Sequence, residues 1–279
     1  MKSLTKRVLT SVIALPILFA SAFLFEQYHH PLLMLIFMAA ISFGTYEMSE
    51  IVKKSGRISP IVYLAPLLPL VAYIEKYLIG EDIFVFFLFV ILSALAFSIE
   101  VFKGADDDFK TSIDTLGRSL LVLTYPALLS IFLVNILFLE NSSYHIALYF
   151  FFVFGEDTFA YFSGMLFGRN NRGIVKVSPK KSIAGFIGGI LVPSLFGFLA
   201  PVLFPNAFTF SPLYGAFLGA ITAVFGALGD LVESTFKRSA DVKDSGFIIP
   251  GRGGILDSLD SLLFAAAPFS IMTIIFEML

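Results

Sequence analysis

Long apolar runs separated by short polar stretches repeat along the whole chain. A helix crossing about 30 Å of hydrocarbon needs about 20 mostly apolar residues. Runs of that kind extend over 8–25, 31–48, 58–79, 83–102, 116–139, 144–167, 183–204, 211–233 and 255–279. The pattern predicts an all-α, polytopic integral membrane protein of about nine transmembrane helices. Pro66, Pro69 and Pro126 fall inside these runs. They predict kinks rather than breaks, because neighbouring helices can satisfy the freed backbone groups. The first run follows Lys2, Lys6 and Arg7, and its Ala20-Ser21-Ala22 looks like a secretory cleavage site. It is longer than the usual signal core of about 7–15 residues and more runs follow it, so a retained first helix is expected.

Composition agrees with a bilayer. Of the 279 residues, 57% are hydrophobic and 14% charged, and the mean hydropathy is +0.89. Soluble domains sit near about 45–50% apolar and about 25% charged. A net charge of −2 gives no reason to expect a nucleic-acid partner. The absence of cysteine excludes disulfides, thiolate catalysis and cysteine–zinc sites.

The positions of the charges say more than their sum. If nine spans alternate, all of the 19 Lys and Arg residues except Lys76 fall on one side of the membrane. The positive-inside rule then puts the N-terminus in the cytoplasm and the C-terminus outside. One missed span would scramble this sorting, so the sorting supports the count. His29, His30 and His145 land in the external turns, which argues against a histidine base at a cytoplasmic site. Asp106-Asp107-Asp108 reads as a solvated acidic loop. The first four runs carry little chemistry, and polar content rises from the sixth onward. The chain divides on this reading into N-terminal membrane helices over 1–140, with about five spans, and a catalytic membrane domain over 141–279. The latter has about four spans and cytoplasmic basic loops.

Charged residues at a membrane boundary are costly unless they are used. Glu156 and Asp157 lie inside the sixth run, Asp230 and Glu233 close the eighth, and Asp257 and Asp260 open the ninth. Residues three apart share a helix face, so three helices present acids at similar depth. Asp157, Asp230, Asp257 and Asp260 form a candidate metal set, and aspartates without histidine favour Mg²⁺ over zinc. Ser178-Pro179-Lys180-Lys181-Ser182 precedes the seventh run, which opens with Gly185, Gly188 and Gly189, while Gly251-Arg252-Gly253-Gly254 precedes the ninth. Both helices start on the cytoplasmic side, where free N–H groups and the positive dipole end suit phosphate. Glycines at 185–189 serve either a close phosphate approach or helix packing. Gly164 with Gly168 and Gly215 with Gly219 read as packing.

These segments resemble phosphatidate cytidylyltransferases, also called CDP-diacylglycerol synthases. Ser234, Phe236, Lys237, Arg238, Lys243, Asp244, Gly246, Ile249, Pro250, Gly253, Gly254, Ile255, Asp257, Leu259 and Asp260 follow the order and spacing of that family's C-terminal signature. Three further segments resemble it: Asp157 to Tyr161, Ser178 to Ser182 and Gly229 to Ser234. The first half agrees only in hydrophobic character. Three positions depart from the pattern: Arg252 stands for a histidine, Ser258 for an arginine and Ala184 for a glutamate.

The resemblance implies transfer of a cytidylyl group from CTP to phosphatidate, forming CDP-diacylglycerol and pyrophosphate for phospholipid synthesis. It implies catalytic roles for Asp230, Asp257, Asp260, Lys237 and Lys243. Ser178, Lys180, Lys181, Arg238, Arg252, Gly253 and Gly254 would bind CTP and the lipid phosphate. Asp157, Asp230, Asp257 and Asp260 would hold Mg²⁺, with a second cation as a clamp. A homodimer in the inner membrane, its active site facing the cytoplasm, follows from the same resemblance and the charge sorting. Two other functions fit parts of the pattern: a CTP-dependent lipid kinase of the polyprenol or phytol type, and an ion-coupled transporter.

Overall fold

The computed structural model describes residues 3–249, 251 and 253–278, with side chains from residue 12 onward. Lys2, Pro250 and Arg252 of the expected charge and signature sets lie outside the described residues, as do the side chains of Lys6 and Arg7. Among the described residues the fold is all helical, with two isolated backbone bridges and no strand. Ten α-helices form: α1 Ser3–Phe23, α2 Pro31–Lys53, α3 Leu67–Leu78, α4 Ile83–Lys103, α5 Ser112–Val122, α6 Ser130–Ile136, α7 Ser142–Phe167, α8 Ile183–Leu203, α9 Pro212–Ser239 and α10 Leu256–Met278.

Every run expected to cross a membrane is helical, but three differ in form. The run over 58–79 is a 3₁₀ turn at Pro60–Leu64 followed by α3, with Pro66 at the helix N-cap rather than inside it. Pro126 does not kink a continuous helix; it sits in a π-helical segment, Leu123–Leu128, between α5 and α6. A proline lacks the N–H for an i→i−4 bond, and a wider turn absorbs that loss. Finally, α9 continues to Ser239, so Lys237 and Arg238 occupy its last turn instead of a loop. Hydropathy drops where the helix leaves hydrocarbon, while the backbone stays helical.

Seven helical segments among the described residues are long and apolar enough to cross a membrane. They comprise α2, Pro60–Leu78, Ile83–Asp107, Ser112–Ile136, α8, α9 and α10. The described apolar part of α1, Val12–Phe23, is shorter. Although α7 is 26 residues long, it is diluted by Glu156, Asp157 and several hydroxyl side chains.

The contacts divide the chain into two units. The first is built mainly from Pro31–Val134 and Phe236–Leu259. Its α2 buries Leu33, Met34, Phe37, Ile41, Gly44, Met48, Ile51 and Val52, a stripe at the helical period. Gly44 lets the first turn of α10 approach, since a Cβ there would stand 3.3 Å from Leu259 Cδ1. By contrast α4 buries only Val85, Leu92, Ala96 and Glu100, and exposes Phe84, Phe86 and Phe87, as a lipid-facing helix does. Glu75 of α3 caps α4 by accepting from Phe84 N at 2.6 Å and Val85 N at 2.9 Å.

The second unit consists of Leu15–His30, Asn135–Thr235 and Asp260–Leu279. Small residues set its helix crossings. A side chain at Gly197 would collide with the Gly215 carbonyl, and one at Gly219 with the Pro193 carbonyl, which seats α9 against α8. Gly185 faces the Ala160 carbonyl, Gly188 faces Ser163 and Gly189 faces Glu156, which brings α8 against α7. Packing thus accounts for these three glycines. Tyr149 donates its hydroxyl to the Leu262 carbonyl, and its ring lies 5.0 Å from that of Phe269, joining α7 to α10. His30 meets Ser142 Oγ at 2.8 Å in this unit.

Candidate active site

In the second unit the link between α7 and α8 folds back on itself. Gly173 N–H donates to the Lys181 carbonyl and Ile183 N–H to the Asn171 carbonyl, both at 3.1 Å. Gly173 has φ +80°, which glycine adopts without strain. Ser182 then caps α8, its hydroxyl accepting from Gly185 N–H at 3.1 Å. The result is a pinned loop that delivers Lys180 and Lys181 to a helix start.

Beside it lies a cavity of about 560 Å³. Arg172, Lys180 and Lys181 line it with Ser182 and Gly185, while Glu156 and Asp157 face it from α7. Tyr161, Met165 and Phe186 supply apolar wall. Three cations at a helix N-terminus have the charge and the donors that phosphate oxygens require. Ser178 is absent from this lining. Its carbonyl accepts from Lys181 N–H at 3.1 Å, so it shapes the turn that carries the lysines. Arg172, whose position in the sequence speaks only to membrane topology, also belongs to the lining.

Lys181 is the hinge between cations and acids. Its Nζ lies 2.6 Å from Asp230 Oδ2 on α9 and 5.5 Å from the Phe186 ring. Asp260, one turn into α10 and 6% exposed, lies within electrostatic reach of Asp230, Glu233 and Asp157. Glu156 precedes Asp157 on α7 and is buried, and its Oε2 has no hydrogen-bond partner among the described residues. Glu156, Glu233 and Asp260 are buried, whereas Asp157 is exposed and Asp230 half-buried; a buried carboxylate is costly unless a cation or a proton neutralises it. The donors are all carboxylates, which suits a hard cation such as Mg²⁺. As the side chains stand, no three such groups among the described residues converge on one point. Asp157, Asp230 and Asp260 therefore fit a divalent cation by chemistry, and they share one unit.

Asp257 belongs to the first unit and has other partners. Its Oδ1 pairs with Lys237 Nζ. Its Oδ2 accepts from Ser245 N and Gly254 N, both at 2.8 Å, and from Ser245 Oγ at 2.9 Å. Both oxygens are occupied, so Asp257 organises the loop between α9 and α10. Gly253 completes this arrangement with φ +112°, and a Cβ there would stand 2.5 Å from Asp257 Oδ2. A left-handed Asp241 turns the chain out of α9, where Arg238 Nη1 donates to the Val242 carbonyl at 3.0 Å. Lys243 is exposed and makes no hydrogen bond or ion pair among the described residues. Arg252 cannot be placed, lying outside the described residues.

One further carboxylate reaches this loop. Glu47 of α2, 4% exposed, accepts from Leu256 N at 2.8 Å, Ser245 Oγ at 2.9 Å and Ile255 N at 3.1 Å. Its only sequence signal is an acid within an apolar run. Among the described residues, no histidine lines the cavity.

This is a multi-pass helical membrane protein with a cavity lined by Arg172, Lys180 and Lys181 on one side and by Glu156 and Asp157 on the other. The chain belongs to the cytidylyltransferase family, which it matches over residues 5–276. It is 30% identical over 234 residues to the phosphatidate cytidylyltransferase of Aquifex aeolicus, a match covering 84% of this chain and 80% of that protein. It is 35% identical over 207 residues to the phosphatidate cytidylyltransferase of Staphylococcus haemolyticus, covering 66% and 78%. With the Helicobacter pylori protein of the same name it shares 40% identity over 114 residues, 41% of each chain.

Proposed function

We propose that this chain transfers the cytidylyl group of CTP to phosphatidate, giving CDP-diacylglycerol and pyrophosphate. The observation that carries this reading is the cavity where Arg172, Lys180 and Lys181 meet the start of α8, in a chain whose relatives bear the name phosphatidate cytidylyltransferase.

A phosphatidate oxygen attacks the α-phosphorus of CTP in line. The new P–O bond forms as the bond between the α-phosphorus and its bridging oxygen breaks, and pyrophosphate departs with that electron pair. No side chain has to remove a proton, because a phosphate monoester is largely ionised near pH 7. Both reactants are anions, so the protein's task is charge neutralisation and alignment. Arg172, Lys180 and Lys181 hold phosphate oxygens, and the planar fork of Arg172 suits two at once. Asp230 aims Lys181. Lys237, held by Asp257, supplies a fixed positive charge, while Arg238 and Lys243 draw in the anionic substrates. Asp157, Asp230 and Asp260 would hold Mg²⁺, with room for a second cation in the reading. Such an ion neutralises phosphate charge.

The same reading has nine crossings, adding α1 and α7 to the seven long apolar segments, and assigns the chemistry chiefly to 141–279. The N-terminus and the active site face the cytoplasm of the inner membrane, and the C-terminus lies outside. The one-sided distribution of Lys and Arg supports this. A homodimer is part of the reading and would appear as a doubled mass in detergent. Because the chain has no cysteine, introduced cysteines report sidedness directly. An impermeant maleimide should label Asp241→Cys only from inside and Asn206→Cys only from outside. Labelling of both from one face would contradict the orientation.

The reaction itself is tested by pyrophosphate release from reconstituted vesicles. Release should require both CTP and phosphatidate. CDP released with diacylglycerol or a polyprenol as acceptor would instead mark a lipid kinase.

A further inference from the structure

Glu47 lies on α2, in the half of the chain that carries little other chemistry, yet its carboxylate accepts hydrogen bonds from Ser245 of the signature loop and from Ile255 and Leu256 at the start of α10. The first N–H groups of a helix have no partner inside it. At the start of α10 the N–H groups of Ile255, just before it, and of Leu256, its first residue, are satisfied by a carboxylate from a different helix. A negative charge at that position also meets the positive end of the helix dipole.

The contact extends beyond capping. Ser245 Oγ lies 2.9 Å from both Glu47 Oε2 and Asp257 Oδ2, and its single proton is shared between two carboxylates. Asp257 in turn holds Lys237. Glu47, Ser245, Asp257 and Lys237 therefore form one chain of polar contacts. Two glycines fit around its first member. Side chains at Gly246 and Gly254 would both collide with the Glu47 carboxylate. The signature loop is thus moulded on a residue about two hundred positions upstream.

We propose that Glu47 is the positioning residue of the signature loop, holding Ser245 and Asp257 so that Lys237 stands where the substrate phosphates need it, and that Gly246 and Gly254 are glycines to admit it. This role rests on the cytidylyl-transfer reading of the site.

The test compares Glu47→Gln with the wild type in reconstituted vesicles and by hydrogen exchange. The amide keeps the volume but cannot accept hydrogen bonds at both ends. Turnover should fall about 10²-fold, as a small misplacement of a reacting group does, with KM for CTP little changed. Exchange at Ile255 and Leu256 should quicken while that of α8 stays as in the wild type. Gly254→Ala, which keeps Glu47 but crowds it, should reproduce the turnover loss, and the double variant should be no worse than the poorer single one. Glu75→Gln removes a comparable cap from α4 and should lower thermal stability without lowering turnover. Wild-type turnover in Glu47→Gln, or faster exchange without a turnover loss, would overturn the proposal and leave Glu47 a cap only. If the wild type forms no CDP-lipid, the functional reading fails. The exchange data then still decide whether Glu47 holds the loop, and unchanged exchange would overturn that as well.

Discussion

Asp230→Asn should lower turnover by about 10²–10³-fold, the scale on which removing one well-placed electrostatic group acts. The amide preserves shape and packing on α9 but removes the charge that faces Lys181 at 2.6 Å. Two effects combine. Lys181 loses the partner that aims it into the cavity, and the set formed with Asp157 and Asp260 loses one of its three carboxylates. The cost to folding should be small, because both side chains of the pair are half-buried, with 24% and 32% exposure, and a solvent-screened ion pair is worth on the order of 1 kcal/mol. Thermal unfolding in detergent and turnover, measured on the same preparation, separate the two effects. Near-normal turnover in Asp230→Asn would contradict its assignment. So would a loss of activity that merely followed a loss of folded protein.

Asp257→Asn should behave in the opposite proportion. Lys237 and Asp257 are only 9% and 8% exposed. Removing one charge takes from the buried lysine the carboxylate that holds it, and breaking a buried pair costs up to about 3–5 kcal/mol. Turnover should fall with stability, since the loop that Asp257 ties to Ser245 and Gly254 loosens. Adding Lys237→Met should recover part of the lost stability, because an apolar replacement removes a buried charge that has lost its Asp257 partner. It should recover none of the activity. Asp257→Asn with an unshifted unfolding midpoint would show that the pair contributes little. Recovery of activity in the double variant would show that Lys237 does not act on substrate.

Hydropathy located the helices because hydrocarbon allows few alternatives to helical backbone. It could not place their ends where the chain leaves the bilayer, which is why α9 runs on through Lys237 and Arg238. Nor could it distinguish a proline kink from the π-helical segment around Pro126, since both relieve the same missing donor. The acids Asp157, Asp230 and Asp260 and the cation Lys181 stand out in the sequence because charge in or beside an apolar run is expensive, and the structure puts all four in one unit. Asp257 shared that signature, yet it is engaged by Lys237 and by backbone N–H groups. Spacing along a helix fixes the face on which a residue lies, while its partner depends on tertiary contacts. Glu47 was illegible for the same reason: an acid in an apolar run looks alike whether it caps a helix, reaches water or holds a loop. Arg172 lay among residues already explained by topology, and only the fold-back of its loop turns it to the cavity.

The account stands most directly on where the α-phosphorus of CTP goes. Purified protein in vesicles would receive phosphatidate labelled in its acyl chains and CTP labelled at the α-phosphorus. Both labels should appear together in one lipid product, with one pyrophosphate released for each CTP consumed. Recovery of the nucleotide label as free CMP or CDP, with no doubly labelled lipid, would contradict cytidylyl transfer by this chain.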